Sequence, residues 1–263
     1  MSRSARASGY GAYRAPDGRW RPPRTEGLAR LLARAGYGAR PRTSALVRDG
    51  RVTIGGEVVT DPGHPVEPDD EVRLDGEILA EAPRLYLVVH KPVGFDCQLH
   101  GRDLRSVARL LPDDAIGLEP AGRLDVRTTG ILLVSNDLRW NSHVAESSEL
   151  ERRYEVWVSG DVKPMLLDVL RGGISLPGGA PFRPVAIDDL GREGATTRLA
   201  VVLCGEHART IRAAFGSVRC EVTSMARTGF GPVSLGTLGR GEWRVLSDEE
   251  VGRLGPPPSK GHR

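Results

Sequence analysis

The chain has 263 residues, of which 39% are apolar and 27% charged, and its net charge is only +3. That length suits one domain of moderate size plus a small one. No apolar run approaches the roughly 20 residues that span a bilayer, and the Arg-rich N-terminus lacks the apolar stretch of a secretory signal, so a cytoplasmic protein with no membrane partner is expected.

Residues 1–24 mix Gly, Ser, Pro and Arg without apolar periodicity and read as a disordered basic arm. Charge is uneven here: residues 1–51 hold twelve Arg against three acids, and Lys occurs only at 91, 163 and 260. Arg donates two hydrogen bonds at once to a phosphate, so a basic N-terminal part points to an anionic polymer as partner. Leu28, Leu31, Leu32 and Ala35 then recur at helical spacing until Gly36, and Pro41 opens a second helix carrying Leu46 and Val47. Arg51–Ile54, a Gly55-Gly56 turn and Glu57–Val59 form a hairpin signature, followed by a strand over 71–74.

The stretch "RLLARAGYGARPRTSALVRDGRVTIGGEVV" resembles an S4 RNA-binding domain, with the likeness spanning about residues 25–78. The resemblance implies two helices presenting basic residues to structured RNA, with Arg30, Arg34, Arg40, Arg42, Arg48 and Arg51 as candidates. For any one of them, a solvated surface charge is an equally good explanation.

Residues 84–249 read as a larger α+β region. Strands are expected over 85–89, 131–134, 154–158, 198–203 and 243–246, with an extended stretch at 218–228. Helices are expected over 104–111, 138–147, 165–170 and 207–215. Short connections favour a mixed, mainly antiparallel sheet. The tail after about residue 254 reads as frayed.

The segment Gly122-Arg123-Leu124-Asp125-Val126-Arg127-Thr128-Thr129-Gly130 runs into the apolar Ile131–Val134. From spacing alone it is a charged loop leading into a buried strand, and a structural ion pair at the strand's mouth explains it at least as readily as chemistry does. The string "GRLDVRTTGILLVSND", however, closely resembles the signature of ribosomal RNA pseudouridine synthases, in the branch that carries an N-terminal S4 domain. The likeness covers both domains. It implies that Asp125 is the catalytic nucleophile and that Arg123 helps hold the target nucleotide out of its helix. Lys91-Pro92-Val93-Gly94 matches the family's KPxG segment, with a mainly structural role and Lys91 as a candidate phosphate contact. Tyr154 in "ERRYEVWV" matches the tyrosine that stacks on the target base. "ARTIRAAF" aligns Arg212 with the basic residue that pairs with the nucleophile, and Arg209 joins the RNA-binding candidates. The segment departs from the family in carrying Glu206, Thr210 and Ala213 where basic residues and Gln are usual.

The reaction moves uracil from an N1 to a C5 linkage on the same ribose and needs no redox step. The sequence has no metal-ligand spacing, P-loop or dinucleotide fingerprint, so no metal or cofactor is expected. The nucleophile must be ionised yet poorly solvated. Burial alone favours the neutral acid, and a guanidinium restores the charge, so Asp125 is expected partly buried and paired with Arg212. The expected partner is ribosomal RNA or a pre-ribosomal particle, with large-subunit RNA slightly favoured, and the chain is expected to act as a monomer. Two other readings stay open: a non-catalytic RNA-binding or ribosome-assembly factor on a silenced synthase fold, and a glycosidase-like enzyme. The second normally needs two carboxylates across the bond, and Asp137 lies a whole strand beyond Asp125.

Overall fold

The computed structural model describes residues 13–14, 20–21, 26–67, 70–80, 84–99, 104–112, 117–176, 181–205 and 208–255. These fall into two units, one drawn from Met1–Arg84 and one from Leu85–Pro257. Among the described residues no helix is long and apolar enough to cross a membrane.

The first unit is built on α1 (Leu28–Arg34) and α2 (Arg40–Arg48), the latter with proline in its first turn. Leu28, Leu31, Leu32 and Ala35 pack with Leu46 and Val47 of α2 and with Val52, Val72 and Leu74 of a small sheet. Thr43 ties the helices together by donating its hydroxyl to the Ala29 carbonyl at 2.8 Å. The sheet comprises β1 (Val52–Ile54), β2 (Glu57–Val58), β3 (Val72–Leu74) and β4 (Glu77–Ile78), in the order β2-β1-β3-β4. Gly55 and Gly56 both take positive φ, which closes the β1–β2 hairpin in the turn the Gly-Gly pair foretells. Most of the expected basic arm lies outside the described residues. Within it, Tyr13–Arg14 pairs antiparallel with Trp20–Arg21, a local order that the composition does not suggest.

The second unit is organised by one sheet whose main path contains β5 (Tyr86–Lys91), β6 (Thr129–Ser135), β7 (Glu151–Ser159), β8 (Ala186–Glu193), β9 (Thr196–Cys204), β10 (Val222–Phe230) and β11 (Trp243–Val245). Their order is β8-β9-β7-β10-β6-β5-β11. Among these neighbours only β6 and β10 run parallel. The expected mixed, mainly antiparallel α+β architecture is what the chain adopts.

β6 is buried along its whole length because both of its faces are covered. Leu132 and Val134 join a core with Val156, Leu199, Ile211 and Phe215. Ile131 and Leu133 join a second core with Trp140, Val144, Phe230 and Leu246. Burying a side chain of this kind stabilises by about 1.5–3 kcal/mol, so the strand that follows Asp125 is held firmly from both sides. Three helices flank the sheet: α3 (Leu138–Glu146), α4 (Pro164–Arg171) and α5 (Ala208–Ser217). Asp137 caps α3, accepting from the Arg139 and Trp140 amides, which accounts for that carboxylate structurally.

Gly130 sits where β6 meets β10. Its φ is +111°, and a Cβ there would lie 2.2 Å from the Arg227 carbonyl oxygen. Only glycine lets the two backbones approach this closely.

One expectation is corrected, and two features were not foreseen. Residues 104–111 form no amphipathic helix: a single 3₁₀ turn spans Val107–Leu110, begun by the extended Ser106, whose hydroxyl accepts from the Ala108 amide. Leu111 is extended before Pro112, as a residue preceding proline tends to be. At the C-terminal end α6 (Asp248–Arg253) is followed by the buried Leu254. The expectation for the remaining tail falls on residues 256–263, outside those described. Finally, β8 forms the sheet's edge although its mostly exposed, acidic sequence has no apolar alternation.

Candidate active site

The loop from Ala121 to Thr128 leads into β6 and folds around its own carboxylate. Asp125 Oδ1 accepts the Arg127 amide at 2.9 Å, and Oδ2 accepts the Thr128 hydroxyl at 2.6 Å. The Thr128 amide donates to the Asp125 carbonyl at 3.0 Å, closing a turn of the kind Asp favours. Two outside contacts hold this turn. The Gly94 amide donates to the Val126 carbonyl at 2.8 Å. Cys97 Sγ donates to the Leu124 carbonyl at 3.1 Å and accepts the Leu124 amide at 3.3 Å. Burial pushes the Cys97 thiol pKa up, so it serves as a neutral clamp rather than a thiolate.

Lys91 is 0% exposed, and its Nζ donates to the carbonyls of Phe95 and Pro92 at 2.7 and 3.1 Å. Burial lowers its pKa, opposed by the nearby Cys97 and Asp125. The expected phosphate contact is therefore corrected: Lys91 braces the KPxG bend against the Asp125 turn from inside the protein. The charge of this segment faces inward.

Asp125, half-buried, opens onto a cavity of about 640 Å³. Tyr154 from β7 lines the same cavity, with its ring 1% exposed and its hydroxyl buried without a partner. Arg123 and Arg209 line it too and are exposed.

Arg212 on α5 is close enough for the Asp125 charge to raise its pKa, against a larger lowering by burial. The two side chains form no direct ion pair. Arg212 donates instead to the Val222 carbonyl at 2.9 Å and the Arg127 carbonyl at 3.2 Å. The expected carboxylate–guanidinium pair is thus corrected to an indirect one, in which Arg212 braces the turn that holds Asp125. Its Nε is buried without a partner.

In the first unit the candidate arginines divide. Glu26 pairs with Arg34 and, at 3.7 Å, with Arg30. Arg51 and Asp75 form a two-pronged pair at 2.8 and 2.5 Å. Arg40 and Arg48 are exposed on α2, whereas Arg42 is half-buried with an unpartnered Nε. Arg40 and Arg48 are thus the α2 candidates most open to a phosphate.

Sequence reasoning passed over four contributors. Thr128 and Cys97 act on the Asp125 turn, and Arg152 and Arg227 line the cavity wall. Arg152 had a signal, since it lies two residues before Tyr154 and strand alternation puts both on one face. Nothing in the sequence marks Arg227.

Comparison with known proteins fits this geometry. The S4 domain model matches residues 26–72, and the RNA pseudouridylate synthase model matches residues 85–183. A protein of Aquifex aeolicus named uncharacterized RNA pseudouridine synthase is 30% identical over 232 residues, covering 86% of this chain and 92% of that protein. The chain belongs to the RNA pseudouridine synthase family. Among other members, the ribosomal large subunit pseudouridine synthase B of Vibrio vulnificus is 32% identical, over 87% of this chain and 74% of its own length. Its Bacillus subtilis namesake is 28% identical over 87% and 95% of the two chains. A solved pseudouridylate synthase shares the fold, with a TM-score of 0.60 at 24% identity, covering 87% of this chain and 99% of that one. As a pseudouridine synthase, the protein has an N-terminal S4 domain and isomerises uridine in RNA.

Proposed function

We propose that this synthase modifies a uridine of ribosomal RNA, in the large subunit, with Asp125 as nucleophile. One observation carries the assignment of roles: Asp125 and Tyr154 open onto the same cavity, one from the loop before β6 and the other from β7. The names of the relatives from Vibrio vulnificus and Bacillus subtilis supply the large-subunit substrate. With that substrate the enzyme works in the cytoplasm, as a monomer.

The residues fit a sequence of steps. A stacked uridine is out of reach, so it must be everted, at a cost of a few kcal/mol that is least in loops and bulges. Arg123, exposed at the cavity, takes up the vacated space. The Asp125 carboxylate, aimed by the Arg127 amide and the Thr128 hydroxyl, attacks the everted nucleotide. The N1–C1′ bond breaks, the uracil turns, a C5–C1′ bond forms, and the bond to Asp125 is released so that the carboxylate is regenerated. N1 gains a proton and C5 loses its hydrogen to solvent, with Tyr154 stacked on the base and its Oη placed to relay that proton. Holding both partners in one cavity supplies orientation that a free carboxylate lacks.

The test is release of tritium from ribosomal RNA labelled at uridine C5. The native protein should release it, and Asp125→Asn should lose at least about 10³-fold in rate while still binding RNA. RNA binding without release by the native protein would identify a non-catalytic RNA-binding or assembly factor instead. Loss of binding together with activity in Asp125→Asn would remove Asp125 from the chemistry.

A further inference from the structure

The cavity wall opposite the Asp125 loop carries two arginines that the reaction scheme does not use. Arg152 on β7 and Arg227 on β10 are 4% and 3% exposed, and both line the cavity. Each guanidinium is half committed. Arg152 Nη2 donates to the Ala145 and Ser147 carbonyls at 3.0 and 3.3 Å, at the C-terminal end of α3. Arg227 Nε donates to the Ile131 carbonyl at 2.8 Å. The other half of each is idle: Arg152 Nη1 and Arg227 Nη2 are buried with no hydrogen-bond partner, as is Tyr154 Oη beside them.

The strand register puts these groups together. Arg152 lies across from Phe230, and Tyr154 across from Arg227, with a bulge between Arg153 and Tyr154. Both guanidinium carbons lie over the Phe230 ring, 5.0 and 5.1 Å from its centre. The ring spaces and orients the two forks. Among the described residues neither has a carboxylate partner, and Asp125, an acid that lines the same cavity, spends both oxygens on its own turn. Two desolvated positive charges without a counter-ion are costly. Burial and the neighbouring Arg227 both lower the Arg152 pKa, the direction expected of a cation awaiting an anion.

We propose that Arg152 and Arg227 form a phosphate clasp, and that its occupant is the phosphate attached to the everted nucleotide. The inference rests on the reading of this cavity as the uridine site. A neutral uracil carbonyl leaves two buried charges uncompensated, whereas a phosphate answers both and accepts from each idle nitrogen at once. A cavity of about 640 Å³ is within the range of small-molecule sites, about 300–1,000 Å³, which has room for a whole nucleotide and not the base alone. The clasp fixes the sugar–phosphate while the base is free to turn, which is what a rearrangement within one nucleotide requires.

The test measures binding and needs no turnover, so it stands or falls separately from tritium release. Thermal unfolding of the full chain is followed with inorganic phosphate, 5′-UMP, 3′-UMP or uridine at constant ionic strength, for the native protein, Arg152→Gln and Arg227→Gln. A ligand that binds only the folded state raises the midpoint. The expected result is a rise with phosphate and at least one UMP, little rise with uridine, and a loss of more than half of the rise in either variant. Equal rises in native and variant proteins would overturn the proposal, as would uridine acting as strongly as UMP, since the arginines would then read the base. If a glutamine variant does not fold, ¹⁵N-arginine spectra of the native protein decide. UMP should shift the slowly exchanging Nε–H signals of buried arginines, and movement confined to exposed arginines would refute the clasp.

Discussion

The Thr128 hydroxyl donates to Asp125 Oδ2 at 2.6 Å from a side chain that is wholly buried. A group so placed cannot rotate away, so it fixes one oxygen of the carboxylate and leaves the direction of the other to the Arg127 amide. A hydrogen bond to a charged group is worth about 1.5–3 kcal/mol. Thr128→Val should therefore lower kcat roughly 10- to 100-fold with KM unchanged, and Thr128→Ser should restore most of it. A rise in KM with kcat intact would make Thr128 a binding residue instead.

Tyr154 offers a sharper separation of stability from chemistry. Its hydroxyl has no partner among the described residues, so Tyr154→Phe removes an unsatisfied buried group and breaks no hydrogen bond there. The variant should melt at the native temperature or slightly above it. If Oη relays the C5 proton, turnover should fall at least about 100-fold. A variant both unstable and slow would show that the hydroxyl is structural.

The first unit can be examined through salt. Arg48 is exposed on α2, whereas Arg51 shares its guanidinium with Asp75. If α2 contacts phosphates, Arg48→Ala should reduce the slope of log affinity against log salt by about 1. Arg51→Ala should change it less, because its charge is already partly answered. Equal slopes for Arg48→Ala and the native protein would exclude a phosphate contact there.

Acid should loosen the C-terminal end of the second unit. Glu250 forms two bonds of 2.7 Å with Arg244 and completes the capping box of α6 with Ser247. The Arg244 bond, more than any other cause, holds its pKa below the ordinary glutamate value. A depressed folded-state pKa stabilises above the unfolded value, about 4.3, and the gain is lost as pH falls through the folded value. The native protein should thus melt above Glu250→Gln at pH 7, with the gap closing below about pH 4.3. A gap that stays constant down to pH 3 would contradict this.

Much of this molecule was legible in its residues, for reasons that differ from place to place. The period of Leu28, Leu31 and Leu32 marks α1, and Gly55-Gly56 marks a hairpin, because both signals are local. The GRLD string led to Asp125, which does open onto the cavity. What escaped was set by packing at a distance. The inward turn of Lys91 depends on the Phe95 carbonyl, and the indirect role of Arg212 depends on where Arg127 places its carbonyl. Arg227 gained significance only through the strand laid beside it. α6 is a different kind of miss: Ser247 and Glu250 spell a capping box that was there to be read.

Gly130 also marks the seam at which the sheet is completed. β10 slots between β6 and β7, and it pairs with β6 at two positions, Thr129 with Ala226 and Gly130 with Arg227. Until Val222–Phe230 has been made, nothing in the sheet joins the strand that follows Asp125 to the strand that carries Tyr154, because β10 lies between them. A half-made chain can therefore hold a finished S4 module and no chemistry, since the chamber closes only when one of the last strands arrives.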